Sequence, residues 1–211
     1  MAQLNIESFS LGAFQTNAYL LTDPDGKRGF IIDPGMSPKP LLKRIENVEI
    51  EAIVLTHAHL DHIGGVDEIR KWKNCPVYLH DAEADWLTDP KLNGSARWPD
   101  LGGPIVTEPA EYALDDGMTL KLLGEKFRVF HTPGHSPGSC SLLYDNKHLF
   151  GGDVLFKMSI GRTDLTGGSE RELYNSIRSK LYTLQDDVIV YPGHGPRTTI
   201  GYEKQNNPYV R

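Results

Sequence analysis

Short apolar runs bounded by glycine, proline or aspartate recur along the whole chain and predict β-strands. The runs are AYLLTD, GFIIDPG, EAIVLTH, PVYLHD, KFRVFHTPG, CSLLYDNKHLFGGD and DVIVYPGH. Several lack an alternating polar face, as expected for strands that are buried on both sides. Amphipathic segments between the runs predict helices at residues 37–48, 61–73 and 170–184. Strands that alternate with helices in this way indicate an α/β protein.

Local signals at two of the helix starts support these bounds. Ser37 is the predicted N-cap of the first helix, with Pro38 in the first helical position. Ser169 is followed three residues later by Glu172, which is a capping box for the third helix. The stretch 87–104 is rich in glycine, proline and asparagine and predicts a long surface loop.

Length and composition favour one globular domain spanning residues 1–211. The chain is 39% hydrophobic and 24% charged, and we find no repeat, low-complexity tract or linker that divides it. Its formal net charge of −6 opposes binding to nucleic acid or to an anionic membrane. No apolar run exceeds four residues, and the N-terminus lacks the features of a secretion signal, so we expect a cytoplasmic protein without a membrane span. Cys75 and Cys140 would then be free thiols.

Metal-binding side chains stand at the ends of four predicted strands. Loops at one rim of a sheet can bring such distant side chains together. The candidate ligands are His57, His59, Asp61 and His62 after EAIVLT, His135 after RVFHTPG, Asp153 after KHLFGG, and His194 after DVIVYPG.

Seven ligands are too many for one zinc ion, which takes about four, but they suit a pair of ions. We expect His57, His59 and His135 to hold the first ion. Asp61, His62 and His194 would hold the second, and Asp153 would bridge the two at the separation typical of paired-metal hydrolases.

Two further observations concern residues outside this set of ligands. Gly64 and Gly65 fall in a helical turn that disfavours glycine, so we expect another backbone segment to pass close to them. The remaining histidines, His80, His131 and His148, have no partner at a ligand-like spacing and are interpreted as structural. An orienting contact from His131 to His135 stays open as an alternative.

These motifs resemble those of the metallo-β-lactamase superfamily. The family signature H-x-H-x-D-H stands here as HAHLDH, and TPGHSPGS, FGGDVLF and YPGHGP follow in the family's order. The resemblance covers essentially the whole chain. It implies a four-layer αββα sandwich, in which helices flank two mixed β-sheets and the metals occupy a groove at one edge.

Within that superfamily the chain is most similar to glyoxalase II enzymes, the hydroxyacylglutathione hydrolases, and to their short YcbL-like branch. FKMSIGRTDL and YEKQNNPYV carry this resemblance. Full-length glyoxalase II enzymes have an additional C-terminal helical domain that is not found here, which leaves the use of glutathione open. Arg162 stands where that group has a basic residue that contacts substrate; the alternative is a structural ion pair with Asp164.

The resemblance and the ligand count together predict a dinuclear hydrolase that cleaves S-2-hydroxyacyl thiols, small-molecule thioesters, by a hydroxide that bridges two metals. We expect zinc, with iron or manganese as alternatives, and Asp61 is the candidate for orienting the hydroxide. The rival interpretation is a persulfide dioxygenase with one iron on His57, His135 and Asp153. Lactonase or β-lactamase activity would use the same metals, and the acidic charge disfavours a nuclease. The pattern does not indicate an oligomeric state.

Overall fold

Two six-stranded sheets form the centre of the computed structural model, which describes residues 3–101 and 103–210. The first sheet contains, in spatial order, β1 (Asn5–Leu11), β2 (Thr16–Thr22), β3 (Arg28–Ile32), β4 (Glu49–Val54), β5 (Val77–Leu79) and β6 (Tyr112–Ala113). Its first two pairings are antiparallel and the other three are parallel.

The second sheet is built from the C-terminal half of the chain. Its strands are β7 (Thr119–Leu122), β8 (Glu125–His131), β9 (Cys140–Tyr144), β10 (His148–Gly152), β13 (Ile189–Pro192) and β14 (Thr198–Thr199). The spatial order is β14-β13-β10-β9-β8-β7, and only the β10–β13 pairing is parallel. A separate small hairpin pairs β11 (Leu155–Phe156) with β12 (Ser159–Ile160). Both large sheets are mixed, as predicted.

Short helices cover the outer faces of both sheets. They are α1 (Lys39–Arg44), α2 (Leu60–Ile63), α3 (Val66–Lys73), α4 (Glu170–Ser176), which continues into a π-helical turn at Ile177–Leu181, and α5 (Ile200–Asn206). Short 3-10 helices lie at Asp81–Leu87, Ser95–Arg97 and Pro99–Leu101. No helix in the described part of the chain combines the length and apolarity needed to cross a bilayer.

The alternation of side chains along the strands explains the layering. In β4, Ala52 and Val54 belong to the core between the two sheets, whereas Ile53 belongs to the core beneath α1, α2 and α3. On the other side of the molecule, Leu173 of α4 and Ile200 of α5 pack in a third cluster on the second sheet. The predicted αββα sandwich is therefore confirmed.

Three predicted helix bounds are wrong, each for a local reason. The first helix begins at Lys39 after an N-cap at Pro38, because Ser37 has φ of +52° and cannot cap it. The helix predicted over 61–73 is two helices that meet at Gly64 and Gly65. The helix predicted over 170–184 is α-helical only to Ser176, where the π-helical turn begins. Its predicted N-cap is confirmed, because the Ser169 side chain accepts a hydrogen bond from the Glu172 N–H.

The strands that the pattern missed are short or half-exposed. β1 and β7 have residues that face solvent, and β6, β11, β12 and β14 have two residues each. CSLLYDNKHLFGGD contains two strands, β9 and β10, joined at residues 145–147. Cys75 and Cys140 are free, buried thiols, as expected.

Candidate metal centre

All seven predicted ligands lie at one rim of the sandwich. His57 and His59 follow β4, and Asp61 and His62 lie in α2. The ends of β8, β10 and β13 lead to the other three positions. Ligand atoms of three groups lie within 4.8 Å of one another: His57 with His59 and His135, Asp61 with His62 and His194, and His57 with His62 and Asp153. The first two groups are the two sets expected from the sequence; that these residues bind metal stays a prediction.

Asp153 lies between the two sets of imidazoles. Its Oδ1 is 3.4 Å from His62 Nε2, and its Oδ2 is 3.6 Å from His135 Nε2 and 3.5 Å from His194 Nε2. One carboxylate therefore faces members of both sets, as a bridging ligand would. Asp61 Oδ2 lies 3.1 Å from His194 Nε2 and accepts a hydrogen bond of 2.7 Å from the Thr16 hydroxyl, which fixes the Asp61 side chain.

Asp33, at the end of β3, organises two of the histidines. It accepts hydrogen bonds from the Thr56 N–H at 2.8 Å, the Thr56 hydroxyl at 2.6 Å and His62 Nδ1 at 2.9 Å. Since the Thr56 hydroxyl donates to Asp33, its oxygen accepts from His57 Nδ1 at 3.1 Å. With the Nδ1 hydrogens placed in this way, the neutral form of each ring has its Nε2 lone pair facing the cluster, which is the tautomer that binds a cation.

Backbone carbonyls orient two more rings in the same way. His135 Nδ1 donates to the carbonyl of Arg162 at 2.8 Å, and His194 Nδ1 donates to that of Phe14 at 3.1 Å. The backbone carbonyl of Arg162 therefore orients the His135 ring, and the alternative contact from His131 is not formed. His59 differs, because its Nδ1 faces His135 Nε2 at 2.9 Å.

Three buried atoms in the cluster have no hydrogen-bond partner among the described residues: His57 Nε2, His62 Nε2 and Asp153 Oδ1. Each such atom costs about 1–3 kcal/mol if it stays unsatisfied. All three are nitrogen or oxygen atoms of the kind that coordinate zinc and related divalent ions. The side chains present therefore fit a metal pair.

The protonation states differ between the two sets. Burial and neighbouring imidazoles lower the pKa of His57 well below its usual value and that of His59 to about 3, so both are neutral. Burial opposes protonation of His62 and His194 as well, but the adjacent carboxylates Asp61 and Asp153 prevail; they raise the pKa of His62 far above normal and that of His194 to about 10. The carboxylates therefore make the electrostatic potential more negative at His62 and His194 than at His57 and His59.

Glycines allow the segments around the cluster to approach closely, as predicted for Gly64 and Gly65. A Cβ on Gly64 would lie 2.7 Å from Met36 Cγ, and one on Gly65 would lie 3.0 Å from the Gly35 carbonyl oxygen. The constraint is tighter at Gly193, where a Cβ would lie 2.1 Å from Asp153 Oδ1. No other residue type fits at that position without moving a predicted ligand.

Glu83 is a buried residue of the site that the sequence did not reveal. Its Oε2 accepts the N–H of Ala58 at 2.5 Å, and its Oε1 accepts the N–H of Gly138 at 2.7 Å. Ala58 stands between His57 and His59, and Gly138 follows His135 by three residues. One carboxylate therefore connects the two segments that carry the first set of imidazoles. Burial raises the pKa of Glu83.

A groove of about 250 Å³ opens onto the cluster. Phe14, Leu60, Leu92 and Trp98 give it an apolar wall, and Arg97 and Arg162 contribute two guanidinium groups. Arg162 makes two hydrogen bonds of 2.7 Å to Asp164, and these lower the Asp164 pKa to about 2. Arg162 thus lies in the groove and also forms the alternative ion pair; its contact with substrate stays a prediction.

The other three histidines lie outside the cluster. His80 and His131 stack on each other with ring centroids 4.0 Å apart, and His131 Nε2 donates to the Pro137 carbonyl. His148 Nδ1 is hydrogen-bonded to the Tyr191 hydroxyl at 2.9 Å. These contacts agree with the structural role expected for each.

An αββα sandwich with a histidine–aspartate cluster at the rim of its two sheets defines a class of metal-dependent hydrolases. The sequence pattern of the Metallo-beta-lactamase superfamily matches residues 11–194. The chain belongs to this superfamily, and its fold and cluster together imply divalent metal ions.

One named enzyme and two solved structures are similar to this chain over nearly its whole length. The chain is 37% identical to "Hydroxyacylglutathione hydrolase GloC" of Haemophilus influenzae, over 98% of both chains. The crystal structure of BLEG-1 B3 metallo-beta-lactamase superimposes on this chain with a TM-score of 0.92 at 48% identity, covering 98% of this chain and 99% of the other. "TTHA1623 in a di-iron-bound form" has a TM-score of 0.85 and 37% identity, covering 97% and 100%.

Proposed function

We propose that this protein is a dinuclear metal-dependent thioesterase that hydrolyses S-2-hydroxyacyl thiols. The observation that carries the proposal is the pair of ligand sets joined by Asp153, whose carboxylate lies 3.4–3.6 Å from imidazole nitrogens of both. The hydroxyacylglutathione hydrolase of Haemophilus influenzae supports the thioester as substrate class, and the di-iron form of TTHA1623 supports a paired centre.

The residues of the chain prepare the site for a carbonyl substrate. Two divalent cations held here would polarise a carbonyl oxygen and bring the pKa of water toward about 7. Asp61, fixed by the Thr16 hydroxyl, faces the groove and is placed to accept a hydrogen bond from a nucleophile. The apolar wall excludes water from one side of the substrate, and a thiolate leaves readily because thiols are far more acidic than alcohols.

Thiol release tests this proposal. Protein purified without added metal would be analysed for bound metals and assayed with S-lactoylglutathione. We expect about two ions per chain and rapid thiol release. His59→Ala should lower metal content and turnover together, turnover by at least about a hundredfold, because a cation contributes several kcal/mol to such reactions. The matched control is His80→Asn. His80 lies outside the cluster and caps the 3-10 helix Asp81–Leu87 by accepting the N–H of Ala82, and asparagine can also cap a helix.

Two alternative activities are measured with the same preparations. Oxygen consumption with glutathione persulfide, together with one bound iron, would replace the thioesterase with the dioxygenase. Hydrolysis of a cephalosporin in preference to the thioester would favour lactam hydrolysis, which the B3 metallo-beta-lactamase at 48% identity makes the stronger rival. Full thioesterase activity with a single bound ion would contradict the paired-metal mechanism.

A further inference from the structure

The groove is also lined by Arg97 and Trp98, two residues outside the cluster of candidate ligands. Both residues line the groove together with His59, Asp61 and His194. Neither belongs to a predicted motif. They lie at the 3-10 turn Ser95–Arg97 inside the long loop at 87–104.

Asn93 gives this loop a fixed conformation. Its side chain is fully buried, donates to the carbonyls of Trp86 and Ile105 at 2.9 and 3.0 Å, and accepts the N–H of Ser95 at 3.0 Å. Its backbone carbonyl accepts the N–H of Leu60, the residue between His59 and Asp61. The loop is therefore attached directly to the helix that carries predicted ligands, so the backbone at Arg97 is held in a defined relation to the cluster.

Aromatic side chains cover the same end of the groove. Trp98 packs edge-on against Phe14, with ring centroids 5.5 Å apart, and it is 46% exposed. The carbonyl of Phe14 also accepts the hydrogen bond from His194 Nδ1. These two aromatic rings, contributed by separate loops, form an apolar contact surface in the same groove as the candidate ligands.

Arg97 brings to this groove a guanidinium group without a direct partner. Within residues 3–101 and 103–210 the Arg97 side chain makes no hydrogen bond or ion pair; it attracts Asp164 only over a longer distance, and both oxygens of Asp164 are bonded to Arg162. A guanidinium group presents a planar pair of N–H donors that matches one carboxylate. A single such group in a groove of about 250 Å³ suits a small monoanion better than a polyanion.

We propose that Arg97 makes the enzyme select thioesters whose thiol arm carries a carboxylate, with Phe14 and Trp98 packing on the carbon skeleton of that arm. This inference depends on the proposed thioesterase function and adds a specificity-determining residue to it.

The test compares two substrates that differ only in this carboxylate, S-lactoyl-N-acetylcysteine and S-lactoyl-N-acetylcysteamine. We expect the wild-type kcat/KM to favour the acid by about 1.5-fold to fivefold, the range that an exposed charge pair gives. Arg97→Gln should remove this preference, and the loss should appear mainly as a higher KM for the acid. Arg97→Lys should keep part of it, and added salt should weaken it.

Arg28→Gln is the matched control, since it removes one exposed arginine at the start of β3, the end opposite Asp33. Its preference should equal that of the wild type. If wild type and Arg97→Gln cleave both thioesters with the same ratio, the carboxylate-selecting role is overturned while the thioesterase stands. If wild type cleaves neither thioester nor S-lactoylglutathione, the proposed function fails and this inference fails with it.

Discussion

Replacement of Glu83 by glutamine tests whether a buried carboxylate holds the first set of imidazoles in place. Glu83 accepts two N–H groups, one on each side, from Ala58 and Gly138. Glutamine keeps one acceptor oxygen, but its amide nitrogen is a donor and would face the second N–H. Either orientation of the amide leaves one buried N–H without an acceptor.

The expected loss of stability follows from that contact. Losing a charge-assisted hydrogen bond and leaving its N–H buried costs about 1.5–3 kcal/mol. Part of this is offset, because burial disfavours the charged form of Glu83 and raises its pKa. A net cost of about 2 kcal/mol lowers the Tm of a chain of this length by about 4–8 °C.

Two measurements test the predicted effect of Glu83→Gln. Calorimetry of the metal-free protein gives the change in Tm, and competition with a chelator gives metal affinity, which we expect to fall by about tenfold, as for other contacts that orient metal ligands. Asp85→Asn is the control, since it removes an exposed negative charge from the same 3-10 helix. Unchanged Tm and unchanged metal affinity in Glu83→Gln would refute the reasoning.

Three further predictions concern the ligand cluster. Asp33→Asn places an amide N–H₂ against donors that now point at Asp33, so metal affinity should fall by about tenfold to a hundredfold; full occupancy after dialysis against a chelator would contradict this. Gly193→Ala puts a methyl group into Asp153 and should abolish metal binding, whereas Gly151→Ala, whose Cβ would meet nothing closer than 3.8 Å, should bind normally; equal metal content in the two variants would show the steric argument to be wrong. Removing bound metal should lower the Tm by about 5–11 °C, which is the effect of losing a ligand present at a hundred times its Kd. Adding the metal back should restore the Tm. An unchanged Tm after chelation would contradict metal binding to the folded state.

Much of the candidate site could be predicted because its signals are local. Each candidate ligand stands directly after an apolar strand, and the end of a strand is visible in the sequence without knowledge of its neighbours. Gly64 and Gly65 were equally informative, since glycine in a helical turn requires a special reason. Asp33 follows the same rule at the end of β3, so the same signal could have found it.

The residues that sequence analysis missed depend on contacts between distant segments. Glu83 is one of 28 acidic residues, and nothing around it indicates that it meets Ala58 and Gly138. Arg97 lies in an irregular loop whose course depends on the buried side chain of Asn93. The wrong start of the first helix has a similar cause, because Ser37 takes a left-handed conformation in the segment between β3 and α1.

The charge of the buried cluster gives a physical reason to favour two cations over one. Four carboxylates lie in it or against it, and all are buried: Asp33, Asp61, Glu83 and Asp153. Among the lysines and arginines of the described chain only Arg70 is buried, and it binds Glu111 instead. A buried carboxylate without a compensating charge costs several kcal/mol. Two divalent cations match these four negative charges, whereas a single ion would leave a surplus that protons on His62 and His194 would have to balance.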